Sequence, residues 1–208
     1  MGTANEYMVW IDCEMTGLDL DKDELVEVAV IITDSELNIV HKGFEVVMNP
    51  SPAALENMGE FVTQMHTNSG LIEEIPHGVT LEEAEQQVLA YINEHVPEGS
   101  KPPMAGNSIG TDRAFIDKYM PLVDERLHYR NIDVSSLKEL ARRWYPRVYF
   151  NSPTKDGGHR ALADIKESIR ELDYYRNAML VQLPGPSSQQ AVSYTHLRTH
   201  ETGRNLVC

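Results

Sequence analysis

Two carboxylates one residue apart, Asp12 and Glu14, interrupt the apolar run from Met8 to Met15. The run reads as a buried strand, and strand residues two apart share a face. Asp12 and Glu14 therefore stand side by side. Carboxylates this close repel, and one tends to hold a proton unless a cation lies between them. A divalent metal is the simplest reason to place the pair here. The structural alternative is a half-buried strand whose polar face meets water.

Three further residues bear on that pair. Asp112 falls at or just inside the N-terminus of a helix, where negative charge is favoured. His159 and Asp164 occur together in Gly157-Gly158-His159-Arg160-Ala161-Leu162-Ala163-Asp164. Five residues apart, they point to different faces of a continuous helix. Both address one site only if His159 sits in the loop before the helix, with Asp164 one turn inside. The two glycines give that loop its freedom. Taken singly, each has an ordinary alternative: a helix-end aspartate, a surface histidine, a solvated helix position.

The elements that must position these residues follow from periodicity. Residues 25–33 are β-branched and almost continuously apolar, as in a central strand. A polar turn at Asp34-Ser35-Glu36 leads to a third strand near Phe44–Val47, which suggests an antiparallel meander. A helical region is predicted from about Ala54 to His66. Thr80 and Glu83 form a capping box for a helix that buries Leu81, Ala84, Val88, Leu89 and Ile92. A short strand at Met104–Asn107 precedes a helix capped by Thr111 and stopped by Pro121. Tyr129–Val134 reads as another strand, and Ser135 or Ser136 as the cap of the next helix. The last helix is predicted from about Arg160 to Gln182, with the stripe Leu162, Ile165, Ile169, Leu172. Meander strands followed by alternating helices and strands define an α/β class with a mixed sheet, and such sheets place their sites at strand ends.

The bulk numbers bound the rest. The 208 residues suit one sizeable domain, with an ordinary 41% hydrophobic and 24% charged composition. No run approaches the roughly 20 apolar residues that span a bilayer, and no secretory signal is visible. Two cysteines, Cys13 and Cys208, make a disulfide framework unlikely and point to a reducing compartment, the cytoplasm. A net charge of −14 disfavours a protein that tracks a long polyphosphate. Residues 126–160 run the other way. Arg126, Arg130, Lys138, Arg142, Arg143, Arg147, Lys155 and Arg160 face only Asp133, Glu139 and Asp156. A local basic zone suits a small anionic ligand, or a solvated helix face. Residues 1–183 are expected to form the domain and 184–208 a flexible tail, disordered or a cloning or read-through scar, opening on Pro184-Gly185-Pro186-Ser187-Ser188. The stretch from His196 to Gly203 is superficially like the end of a zinc finger, but no upstream cysteine pair exists to complete one.

An Asp-x-Glu on the first strand, an Asp on a middle helix and a His-x4-Asp entering the last helix, in that order, resemble the DEDDh 3′–5′ exonucleases. Asp12, Glu14, Asp112, His159 and Asp164 match the five motif positions. The likeness extends through residues 10–18, 105–108, 117–121, 128–135, 143–146 and 159–165, and covers about Tyr7 to Met179. It implies a ribonuclease H-like mixed β-sheet flanked by helices. It also implies two hard cations, Mg²⁺ or Mn²⁺, which four carboxylates select over zinc. Asp12 would bridge the ions, Glu14 and Asp164 would complete one shell, and Asp112 would serve the second. His159 would take the proton from the attacking water.

The family members most like this chain degrade very short oligoribonucleotides, dinucleotides above all and pGpG included, to nucleoside 5′-monophosphates. The resemblance makes Leu18 the wedge between two bases and Phe61 a stacking platform, where the family usually has tryptophan. It sets His66 near the 3′ nucleotide. Ser108, Arg130 and Ser135 would cap the 5′ phosphate, and Tyr129 would be supplied across a homodimer interface. A closed cap measures length, because a longer chain has nowhere to put its next phosphate. The competing readings are a DEDDh exonuclease acting on longer RNA or DNA 3′ ends, and an idle nucleotide- or metal-binding module.

Overall fold

Strand β2 (Leu25–Asp34) is buried at every position but its last, so it must lie mid-sheet with both faces covered. In this computed structural model, which describes residues 7–154 and 160–191, it does. Strands β1 (Tyr7–Met15) and β3 (Phe44–Val47) flank it, both antiparallel. Strands β4 (Pro103–Gly106) and β5 (His128–Asp133) continue the sheet beyond β1, both parallel. The order is β3-β2-β1-β4-β5, the mixed α/β sheet expected from the sequence.

In chain order the helices are α1 (Pro52–Asn57), α2 (Glu60–Ser69), α3 (Leu71–Glu74), α4 (Leu81–His95), α5 (Gly110–Tyr119), α6 (Pro121–Arg126), α7 (Val134–Trp144), α8 (Pro146–Phe150) and α9 (Ala161–Met179). Strand alternation feeds two cores. Val9, Ile11, Cys13, Val28, Val30 and Met104 pack with residues of α4, α5 and α6, such as Val88, Ile92, Phe115 and Val123. Trp10, Ala29, Ile31 and Ala105 pack with residues of α7 and α9, such as Ala141, Ile165 and Tyr175. No described helix is long and apolar enough to cross a membrane.

Three local expectations differ from what is observed. The helical region at 54–66 is two helices, because Met58 adopts extended backbone (φ −60, ψ 117) and breaks the run before Gly59. Thr111 does not cap α5, which begins at Gly110 after Ile109 and carries Asp112 in its first turn. Neither Ser135 nor Ser136 caps α7. Asp133, two positions before Ser135, accepts the Ser135 N–H at 3.1 Å and takes that role. The capping box of α4 is present, with Thr80 and Glu83 bonded reciprocally at 3.2 and 3.0 Å.

Candidate active site

The even-numbered face of β1 looks toward α7 and α9, and it carries Asp12 and Glu14. Asp164, in the first turn of α9, meets them there. One oxygen from each of the three lies within 4.8 Å of the others. Asp112 arrives from α5. Strand β4 pairs with β1 only at Val9 and Trp10. Beyond that pairing the Cys13 N–H donates to Asp112 Oδ1 at 3.0 Å. All four carboxylates line one open cleft of about 490 Å³, together with Leu18, Asn107, Ser108, Thr111, Lys138 and Ser168. His159 lies outside the described residues.

The crowding has an electrostatic consequence. Burial, followed by the charges of Glu27, Asp164 and Asp112, pushes the Glu14 carboxyl up to about 8. Burial raises Asp112 to about 6, although the bonds from the Cys13 and Asp112 backbone oppose it. Burial, followed by the charges of Asp112, Asp12 and Glu14, also raises the Cys13 thiol. A set of hard oxygen donors that resists ionising together fits a divalent cation, which would favour the charged forms.

Two residues behind the pair hold it in place. Glu27, opposite Glu14 on β2, is 0% exposed. Arg160 donates to its Oε1 from Nε at 3.1 Å and Nη2 at 2.8 Å, and the Ala161 N–H donates to Oε2 at 3.1 Å. Arg160 also bonds Glu74 at 2.7 Å. The start of α9, and with it Asp164, is thereby fixed against the central strand. His66 is fully buried. Its Nε2 donates to the Met15 carbonyl at 2.9 Å, and its Nδ1 lies 3.9 Å from Glu14 Oε2.

The other expected residues spread around the cleft. Leu18 is 75% exposed and lines it. Ser108 also lines it, in the left-handed region at φ 58, a conformation uncommon outside glycine. Its N–H donates to Asp133 Oδ1 at 2.9 Å. The Ser135 hydroxyl donates to the same carboxylate at 2.7 Å and is not among the cleft-lining groups. Arg130 is exposed on β5, its guanidinium 5.4 Å from the Tyr129 ring. Tyr129 is 75% and Phe61 81% exposed. Arg130, Tyr129 and Phe61 lie outside the cleft lining.

The basic zone of residues 126–160 is not one surface. Arg126 donates to the Val96 and Pro97 carbonyls, Arg142 and Arg143 pair with Glu139, and Arg160 serves Glu27 and Glu74. Lys138 alone among them lines the cleft in the described residues. Sequence reasoning singled out neither Glu27 nor Asp133 as site residues. Glu27 had a visible signal, being the one charge between Leu25 and Thr33.

Residues 9–172 match the RNase_T family, described as exonuclease. The solved nuclease domain of 3′hExo, a DEDDh family member bound to rAMP, shares this ribonuclease H-like fold. Its TM-score is 0.59 at 12% identity, over 86% of this chain and 96% of that one. The oligoribonuclease of Leifsonia xyli subsp. xyli is 62% identical over 190 residues, 91% of this chain and 92% of the relative. That of Streptomyces griseus is 60% identical over 187 residues, 90% and 93%. The chain belongs to the exonuclease family and, within it, to the oligoribonucleases.

Proposed function

We propose that this metal-dependent 3′–5′ exoribonuclease hydrolyses very short oligoribonucleotides, dinucleotides above all and pGpG among them, to nucleoside 5′-monophosphates. The observation that carries the reading is the convergence of Asp12, Glu14 and Asp164 within 4.8 Å in a cleft that Asp112 also lines. These residues would hold two ions, Mg²⁺ or Mn²⁺: Asp12 between them, Glu14 and Asp164 on one, Asp112 on the other. Bound there, the ions supply charge stabilisation at the phosphate and a more acidic water. The Cys13 N–H orients Asp112, and Arg160 with Glu27 orients the start of the helix that carries Asp164. His159, the fifth motif position, accepts the proton of the attacking water; an unperturbed imidazole titrates near the working pH.

Leu18, exposed at the cleft, separates the two bases, and Phe61 offers an aromatic face for stacking. His66 backs the 3′-nucleotide side from beneath Glu14. Ser108, Arg130 and Ser135 cap the 5′ phosphate, and Tyr129 completes the site across a homodimer interface. The net charge of −14 supports a short substrate over a tracked polymer. We assign residues 1–183 to the exonuclease domain and 184–208 to a tail, and place the enzyme in the cytoplasm on its sparse cysteines.

Turnover of 5′-phosphorylated RNAs of graded length, with Mg²⁺ or Mn²⁺ and with chelator, tests the reading. The dinucleotide is expected to turn over fastest, and only with metal. Rates that hold level or rise with length would instead support an exonuclease of longer RNA or DNA 3′ ends. Absence of metal-dependent hydrolysis would support an idle binding module.

A further inference from the structure

We infer that Lys138 holds the 5′-terminal phosphate of the substrate and that Glu171 positions it; the inference rests on the short-RNA reading above. An RNA end entering this cleft meets four carboxylates. Bound metal would offset them at the scissile phosphate, but the second phosphate of a dinucleotide lies farther along the chain and needs its own counter-charge. Lys138 is the one lysine or arginine among the described residues lining the cleft. It stands three residues after Ser135 on α7, hence on the same helix face.

The lysine is held in place. Its Nζ lies 3.3 Å from Glu171 Oε1, and Glu171 is buried on α9. Asn107, itself on the cleft wall, donates to Glu171 Oε2 at 2.7 Å, and the Tyr175 hydroxyl donates to Oε1 at 3.4 Å. One carboxylate thus ties together the loop after β4, helix α7 and helix α9. An ammonium has three donors, and Glu171 engages one. The Lys138 side chain remains 36% exposed, so it is not consumed in neutralising the buried acid.

The serines of the cap create the need for this cation. Asp133 gathers the Ser108 N–H and the hydroxyls of Ser135 and Ser136, at 2.9, 2.7 and 3.1 Å. A phosphate resting on Ser108 and Ser135 would therefore sit beside a negative charge. Arg130 is exposed on β5 beside Tyr129 and outside the cleft lining, whereas Lys138 is inside it.

The test compares one dinucleotide carrying a 5′ phosphate with the same dinucleotide ending in a 5′ hydroxyl. Lys138→Gln is expected to lower kcat/KM about tenfold or more on the phosphorylated substrate, mainly through KM, because a charged hydrogen bond is lost. The hydroxyl substrate should be unaffected, and Lys138→Arg should restore most of the difference. The double variant K138Q/E171Q removes the cation without stranding a buried carboxylate, so it gives the same reading if K138Q alone folds poorly. Equal loss on both substrates, or loss on neither, overturns the role of Lys138. A wild type that cleaves both dinucleotides equally well removes the 5′-phosphate contact itself. A wild type that cleaves neither removes the short-RNA reading instead.

Discussion

Glu14 shows how far the site departs from ordinary carboxylate chemistry. Its carboxyl is pushed up to about 8 from 4.5. A raised folded-state value means that the folded protein binds the proton more tightly. The stability that Glu14 contributes is complete below about pH 4.5 and lost as pH rises through 8. Asp112 adds the same sign between 3.8 and about 6. In chelator, the Tm of wild type should therefore fall relative to that of Glu14→Gln as pH rises from 6 to 8, and divalent metal should restore more Tm at the upper end. Melting curves of the two proteins across that range are the check, and a constant difference would contradict it. The pairing of Asp12 with Glu14 was legible because strand alternation needs only local sequence. Lys138 was not legible as special. It is one of several cations between residues 126 and 160, and its partner Glu171 is far along the chain, so only the packing of α7 on α9 distinguishes it.

At the scale of elements, α9 is the part whose placement decides the site. Its start is tied to β2 through Glu27, Arg160 and the Ala161 N–H. Arg160→Met would leave Glu27 buried without its ion pair and should cost about 3 kcal/mol, less if water reaches the vacated space. E27Q/R160M should cost less than the sum of the two single changes. Urea denaturation of the four proteins gives the coupling, and an additive result would mean that the pair is not a clamp. Thr80→Ala is the contrasting case. It removes the box of α4 far from the cleft, should cost about 1 kcal/mol, and should leave turnover per folded molecule unchanged. Long periodic segments were readable, and β2, α4 and α9 lie close to where the pattern put them. Caps were read less well, because Asp, Ser and Thr all serve. In α7 the aspartate that ends β5 also starts the helix, and composition gives no sign of that double duty.

For the whole molecule, the clearest unspent surface is aromatic. Tyr129 on β5, Trp144 and Tyr145 at the end of α7, and Phe150 on α8 are all exposed. In the homodimer proposed above they would be covered. Trp144→Asp should shift sedimentation from a dimer to a monomer and reduce dinucleotide turnover, since Tyr129 would lose its partner site. A dimer that survives the substitution would remove Trp144 from the interface. This level of organisation came from resemblance alone, because isolated aromatics in a sequence read equally well as core. One consequence of the two-core sheet concerns folding itself. Strand β1 sends Ile11 and Cys13 one way and Asp12 and Glu14 the other. A slip of one residue against β2 would drive both acids into the apolar layer under α4 and α5, and turn Ile11 and Cys13 toward Asp164. A slipped molecule could keep its helix and strand content yet have no catalytic centre. Recovered turnover after refolding therefore reports strand alignment, which circular dichroism does not see.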